Sequence, residues 1–361
     1  MIVPSGSAPD GRASALAAAF EAERSHLRAV AYRLLGSLAD AEDVVQEAWL
    51  RLERVDADEI VDLRSWLTVV VSRLCLDQLR SARGRREGYV GPWLPEPLVT
   101  GLGDSGAAGG GSVDVGAPVA DAALVTGAAV PVASGSAGGS GALGAVDPAD
   151  RVTLAESVSL AMMVVLEALS PAERTAFILH DVFGYDFGEI AEATGRTPAA
   201  ARQLASRARR HVRDRSVRFD PDPARRRRVA EAFLAAAAGG DLAGLLALLN
   251  PDAVVRSDGG GLTKAARRPV LGADRVARFV LGIIAKGVRN AVAEPSMRLV
   301  MVNGEPGLAA YEGTALRFVA ALHVADGRIA EINIVANPEK LRHLSPTPAG
   351  PVGPAGSVDP A

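Results

Sequence analysis

The sequence predicts a multidomain chain, with two all-α units followed by an α+β domain whose curved antiparallel sheet wraps a cavity. Three observations carry this prediction. From Ser170 to Arg213 a capped helix, a glycine turn and a capped basic helix follow one another. Thr100 to Val146 is a Gly/Ala/Ser/Val tract that separates helical patterns on either side. After Arg213 two helical patterns give way to alternating strands, the last two joined by Asp326-Gly327, a tight-hairpin signal.

The chain has 361 residues, enough for two or three domains, and a formal net charge of −3. Bulk charge therefore says nothing about nucleic acid, but its distribution does. Arginines gather from Arg80 to Arg86 and from Arg202 to Arg228, and acidic residues from Asp40 to Glu47 and from Asp56 to Asp62. Local basic patches on a near-neutral chain suit a protein that binds DNA in one place and another protein elsewhere. The single cysteine, Cys75, lies in an apolar helical pattern and reads as a buried thiol. Five scattered histidines and one cysteine give no metal site, and no cofactor is expected. The uncharged stretch Ala122 to Val146 is interrupted by Pro131 and many glycines and serines, so it is not read as a membrane span. With no signal sequence at the start, a cytoplasmic protein without membrane contact is expected.

In chain order, residues 1–12 are Pro/Gly/Ser-rich and expected to be disordered, and residues 13–87 form the first helical unit. Its first helix places Leu27, Val30, Ala31, Leu34 and Leu35 on one face and breaks at Gly36-Ser37. Asp40 is the expected N-cap of the next helix, whose apolar stripe is Val44, Val45, Ala48, Trp49 and Leu52. Asp43, Gln46, Glu47 and Leu50 form its other face. A third helix, from Leu63, draws core from Trp66, Val69, Val70, Leu74 and Leu79 and ends in a basic cluster. Residues 88–150 then form a linker. It begins with GYVGPWLPEPL, a stiff extended segment with an aromatic anchor suited to docking on a surface.

Residues 151–215 form the second helical unit, opening with an amphipathic helix from Arg151 to Leu169. Ser170, Pro171 and Glu173 make a capping box with proline at the first helical position. A helix from Phe187 to Ala193 turns inward Ile190 and Ala191, and Gly195-Arg196 makes the turn. Thr197-Pro198 caps a basic helix carrying Arg202, Gln203, Ser206, Arg207, Arg209 and Arg210. This is the helix-turn-helix order that places a recognition helix in the major groove. Arginine and glutamine near its start can reach base edges, and later arginines suit phosphates.

Residues 216–224 form a second linker and residues 225–343 the α+β domain, followed by a Pro/Gly-rich tail over 344–361. A helix from Arg225 buries Val229, Phe233 and Leu234, and Asp241 caps another that ends near Asn250-Pro251. A short strand from Ala253 to Arg256 leads into the loop Asp258-Gly259-Gly260-Gly261, with a helix between Gly272 and Gly287. The remaining strands are Ser296–Asn303, Gly307–Tyr311, Thr314–Val324 and Arg328–Val335. Asp258 reads as a loop-shaping residue rather than a general base, and His323 as a bonded histidine rather than a catalytic one.

In this order the parts resemble a bacterial RNA polymerase sigma factor of the extracytoplasmic-function (ECF) type. DAEDVVQEAWLRL is similar to the sigma-2 helix that grips the polymerase clamp, and LRSWLTVVVSRLCLDQLR to the helix that recognises and opens the −10 element. The segment from Ser170 to Arg210 is similar to the sigma-4 domain that reads the −35 element. Tyr89 to Leu98, Asp258 to Gly261 and Asn337-Pro338-Glu339-Lys340-Leu341 resemble the subgroup carrying a C-terminal SnoaL-like extension; Glu339 stands where the subgroup has aspartate. The long Gly/Ala tract is a further departure, and lengthens the tether.

The resemblance implies core RNA polymerase (β′ clamp and β flap) and promoter DNA as partners, with a small-molecule ligand of the C-terminal domain left open. It assigns Asp43, Gln46, Glu47 and Leu50 to the clamp, and Arg64, Asp77, Arg80, Arg83, Arg85 and Arg86 to the −10 region. Melting would take place around Asp56 to Arg64. Thr197, Ala199, Arg202, Gln203, Ser206, Arg207 and Arg210 would contact the −35 duplex. Trp93, Leu94, Pro95, Glu96, Pro97, Asp258, Gly259, Gly260, Gly261, Asn337, Pro338, Lys340 and Leu341 would carry interdomain regulation, tethering supplying the effective concentration for a weak interface. Three functions remain open: a sigma factor regulated in cis, a sigma factor fused to an active isomerase- or hydrolase-like enzyme, and a conventional helix-turn-helix transcription factor. The acidic helix from Asp40 to Leu52 argues against the last, which has no need of a polymerase-docking face.

Overall fold

The computed structural model describes residues 9–55, 60–86, 88–100, 112–114, 158–215 and 220–344. Three helices open the chain: α1 (Pro9–Leu35), α2 (Leu38–Leu52) and α3 (Leu63–Arg86). The first begins inside the stretch expected to be disordered. Gly36, at φ 74°, reverses the backbone, and Ser37 follows in an extended conformation. Helical geometry therefore resumes at Leu38, and the N-cap is Ser37 rather than Asp40. Leu27, Val30, Leu34, Val45, Ala48, Leu52, Leu67, Val71 and Cys75 pack between the three helices.

The second helical unit comprises α4 (Leu160–Leu166), α5 (Pro171–Phe177), a π-helical turn over Ile178–Val182, α6 (Phe187–Thr194) and α7 (Pro198–Arg215). Both bonds of the expected capping box form at Ser170 and Glu173, and a second box, not anticipated, forms at Asp186 and Glu189. Gly195 adopts φ 65° to end α6. The long amphipathic helix is represented by α4 alone, since residues 151–157 lie outside the described set. The two helical units share a continuous core and are joined by polar contacts. Tyr185 Oη lies 2.8 Å from both His26 Nε2 and Thr68 Oγ1, and Arg73 donates to the Glu192 carbonyl at 3.0 Å.

The third unit comprises α8 (Pro223–Ala238), α9 (Leu242–Leu248), β3 (Leu249–Asp258), β4 (Val270–Leu271), α10 (Ala273–Asn290), β5 (Pro295–Val302), β6 (Glu305–Glu312), β7 (Ala315–Ala325), β8 (Arg328–Val335), α11 (Pro338–Leu341) and a 3-10 turn over Arg342–Leu344. Two strands from the linker, β1 (Val99–Thr100) and β2 (Ser112–Asp114), pair with β5, so the Gly/Ala tract contributes to the sheet where no stable structure was expected. The sheet is open and ordered β1-β5-β6-β7-β8-β3-β4.

It is not wholly antiparallel, because β3 pairs with β8 in parallel. After β3, the helix α10 carries the chain to β5 on the far side, and three hairpin reversals return β8 alongside β3. β3 also starts earlier than expected, at Leu249. A register break between Leu249 and Val254 admits Pro251, which has no amide to donate. Asp326 (φ 51°) and Gly327 (φ 74°) make the expected tight turn, and Asn303 (φ 49°) with Gly304 (φ 75°) makes another.

Both faces of the sheet are buried. Val255, Leu308, Leu322, Ile332 and Ile334 pack against Phe233 of α8 and Val276 of α10. On the opposite face Val300, Val302, Ala309, Val319, Ala321 and Val335 pack under Leu94, Leu160 and Leu341. Leu94 belongs to the linker and Leu160 to the second helical unit, so the sheet's outer face is where the three parts meet. Among the described residues no helix is long and apolar enough to cross a membrane.

Candidate functional site

The basic helix α7 divides cleanly. Ala201, Leu204, Ala205, Ala208 and Val212 are buried at helical spacing. Thr197, Ala199, Arg202, Gln203, Ser206, Arg207 and Arg210 are exposed. Thr197 Oγ1 accepts from the Ala200 amide at 3.2 Å, which fixes the start of the helix. The Arg202 guanidinium lies 4.9 Å from the Phe187 ring centroid, Arg207 pairs with Glu173 at 3.2 Å, and Arg209 pairs with Asp181 at 2.6 Å. The inner contacts hold the arginine stems while the outer face stays open to a groove.

On α2, Asp43, Gln46 and Leu50 are exposed, and Glu47 pairs with Arg51 at 3.1 Å. Leu50 is 44% exposed, an apolar residue beside a groove lined by Phe20, Gln46 and Trp49. On α3, exposed Arg64 pairs with Glu23 at 3.3 Å, and Asp77 with Arg80 at 3.2 Å. Arg83, Arg85 and Arg86 belong to α3, but their side chains lie outside the described residues, as do residues 56–59 of the segment where melting was expected.

The interdomain residues converge. Asp258, fully buried at the end of β3, accepts from Tyr89 Oη at 2.6 Å and the Gly260 amide at 3.0 Å on Oδ1. Its Oδ2 accepts from the Leu94 amide at 2.9 Å and the Lys340 ammonium at 2.7 Å. Lys340 also donates to the Leu94 carbonyl and sits 4.1 Å from the Trp93 ring centroid. Asn337 caps α11 and donates to Tyr89 Oη at 3.1 Å, and Pro338 takes the first helical position. Leu341 is buried beside Leu94 in the same cluster. Burial, then the Asp258 bond, pushes the Tyr89 phenol well above its ordinary value, so it stays a donor. Gly260 (φ 62°) admits no side chain, because a Cβ there would lie 2.3 Å from Asn337 Nδ2. Gly259 and Gly261 complete the turn.

From this hub the strap over residues 89–98 reaches α1 and α2. The Trp93 ring would be 2.7 Å from a Cβ at Gly36. Glu96 bonds the start of α2, and the Pro97 carbonyl accepts from His343 Nε2 at 2.9 Å. The Leu98 amide donates to Asn303 Oδ1 at 3.0 Å, and Asn303 Nδ2 donates to Tyr32 Oη at 2.9 Å. Asn303, Tyr32, Gly36, Ser37 and His343 were not anticipated as members of this contact. The Asn303-Gly304 dipeptide carried a turn signal, but nothing local marks the partners on α1.

Comparisons with known proteins agree with the geometry. The family models for Sigma-70 region 2, Sigma-70 region 4 and the SnoaL-like domain match residues 19–85, 159–212 and 230–332. The chain is 42% identical over 335 residues to the ECF RNA polymerase sigma factor SigJ of Mycobacterium tuberculosis, covering 89% of this chain and 92% of the relative. The chain belongs to the ECF RNA polymerase sigma factors. It is also 36% identical over 331 residues to the protein named Probable ECF RNA polymerase sigma factor SigI from the same species, covering 91% and 96%. The crystal structure of M. tuberculosis SigJ matches with a TM-score of 0.64 and 39% identity, over 91% of this chain and 98% of that one. This sigma factor therefore acts with core RNA polymerase at promoter DNA, through a sigma-2 domain and a helix-turn-helix sigma-4 domain followed by a SnoaL-like domain.

Proposed function

We propose that the SnoaL-like domain of this sigma factor regulates initiation in cis, by gripping the strap that follows sigma-2. The supporting observation is the Asp258–Lys340 pair, which holds both the amide and the carbonyl of Leu94. In this reading Asp43, Gln46, Glu47 and Leu50 dock on the β′ clamp, sigma-4 sits on the β flap, and the protein works in the cytoplasm. The exposed face of α7, from Thr197 to Arg210, reads the −35 duplex, and the basic end of α3 lies along the −10 DNA.

The SnoaL-like domain acts by contact rather than by catalysis. The inner sheet face carries the apolar core from Val255 to Ile334, and the cleft lined by Ile284, Met297, Phe318, Glu312 and Arg317 is only about 80 Å3. Ligand pockets typically run to ~300–1,000 Å3. His323 is buried on the other face and bonded to Glu305 at 3.0 Å. Run-off transcription with core polymerase tests the regulatory reading. The full chain and a chain truncated after Arg213 are expected to give different transcript yields at equal concentration, and equal yields would contradict regulation in cis.

A further inference from the structure

We infer that the SnoaL-like domain acts on polymerase binding through Glu96, a positioning residue that carries the strap's anchorage into the first turn of the clamp-docking helix α2. This rests on the cis-regulatory reading and adds its route.

Helix N-termini leave backbone amides without intrahelical partners. In α2 the Leu38 amide finds its partner outside the helix and its flanks, donating to Glu96 Oε2 at 2.9 Å from 58 residues away. Glu96 Oε1 accepts from Ser37 Oγ at 2.9 Å. Ser37 itself caps at the long distance of 3.3 Å to the Asp40 amide. The Glu96 backbone closes the joint: its amide donates to the Gly36 carbonyl at 2.8 Å, and its carbonyl accepts from Tyr32 Oη at 2.6 Å. All four bonds made by Glu96 fall on the junction between α1 and α2. A carboxylate there also meets the positive end of the helix dipole.

The strap has little freedom to absorb movement. Two residues before Glu96, Leu94 is held at both backbone polar groups by Asp258 and Lys340. Two residues after it, the Leu98 amide donates to Asn303 Oδ1 and the Leu98 carbonyl accepts from the amide of Asn303, which turns the β5–β6 hairpin. Pro95 and Pro97 flank Glu96 and fix its neighbours' φ angles. Displacing Leu94 from the hub therefore shifts Glu96 relative to Leu38. The residues assigned to the clamp begin at Asp43, within the next two turns of the same helix.

Two readouts on the full-length chain test this: amide exchange at Leu38 and Asp40, and affinity for core polymerase by anisotropy. Glu96→Ala is expected to raise exchange at both amides and weaken core binding by about fivefold, the usual worth of an N-terminal cap. Asp258→Asn, which touches neither amide, is expected to change both in the same direction. Binding to an isolated −35 duplex should stay within about twofold for both variants. Unchanged protection of Leu322 in β7 confirms the fold, and if Glu96→Ala loses it, Glu96→Gln and Asp258→Asn carry the test. Faster exchange over 94–98 in Asp258→Asn, with Leu38 exchange and core affinity unchanged, would overturn the inference. If the truncation after Arg213 still alters run-off yield in that case, cis regulation stands and only this route falls.

Discussion

Lys340 and Asp258, 82 residues apart, meet at 2.7 Å with the carboxylate fully buried and the ammonium side chain 10% exposed. The ammonium is also enclosed by the Trp93 and Tyr89 rings and the Leu94 carbonyl. Each charge is solvated by the other and by the strap. Removing one partner leaves the other's charge without its counter-ion in a buried site. Lys340→Ala and Asp258→Ala are each expected to destabilise the chain by about 3–5 kcal/mol, with the double variant much less than additive. Urea denaturation of the two single variants and the double variant measures this; additive losses would mean that the two side chains act independently.

Gly36 sets the corner between α1 and α2 under Trp93. Its φ of 74° is unfavourable for a side chain, and the new Cβ would press on the indole. Gly36→Ala should lose about 1–2 kcal/mol from backbone conformation alone. The steric part of any further loss should be relieved in Gly36→Ala,Trp93→Ala. Thermal denaturation of the single and double variants separates the two contributions.

His26 makes the contact between sigma-2 and sigma-4 sensitive to acid. Its ring lies against Phe183 and shares a hydrogen bond with Tyr185, and burial, then Arg64 and Arg33, pulls its pKa down from 6.5 to about 4. The folded chain thus binds the proton less tightly than the unfolded one. The stability this group contributes is complete above pH 6.5 and is lost as pH falls from 6.5 through 4. His26→Gln should flatten that part of the stability–pH profile. An unchanged slope between pH 6.5 and 4 would assign the acid sensitivity to other groups.

Arg202 and Arg213 should separate base reading from phosphate attraction. Arg202 is exposed in the first turns of α7, braced by Phe187, whereas Arg213 lies near its end. Arg202→Ala is expected to weaken specific promoter binding by about 1–3 kcal/mol, and Arg213→Ala to weaken specific and random duplexes alike. Equal losses on both duplexes for Arg202→Ala would remove it from base readout.

Local chemistry made much of this fold legible. Ser170 with Glu173, Gly195, Thr197 and Asp326-Gly327 each carry their signal within four residues, and each does what that signal implies. The segments around Trp93, Asp258 and Lys340 could be named as interdomain elements, and the structure brings them together. Which atoms meet could not be read, because the bonds span 82 to 248 residues. The same applies to Glu96 on Leu38, to Tyr185 on His26 and Thr68, and to the parallel pairing of β3 with β8. Even the α2 boundary moved by three residues, since Gly36's turn and a carboxylate from the strap decide it rather than Asp40. Long-range partners override local capping preference wherever they reach an unsatisfied amide first.

The most direct test of the central claim is the sigma concentration that half-saturates run-off transcription by core polymerase, for the full-length wild type and for full-length Lys340→Ala. The structure predicts a higher half-saturating concentration for Lys340→Ala, because the freed strap no longer holds the start of α2. Identical saturation curves, from a variant shown to be folded, would contradict control of initiation by the SnoaL-like domain through this hub.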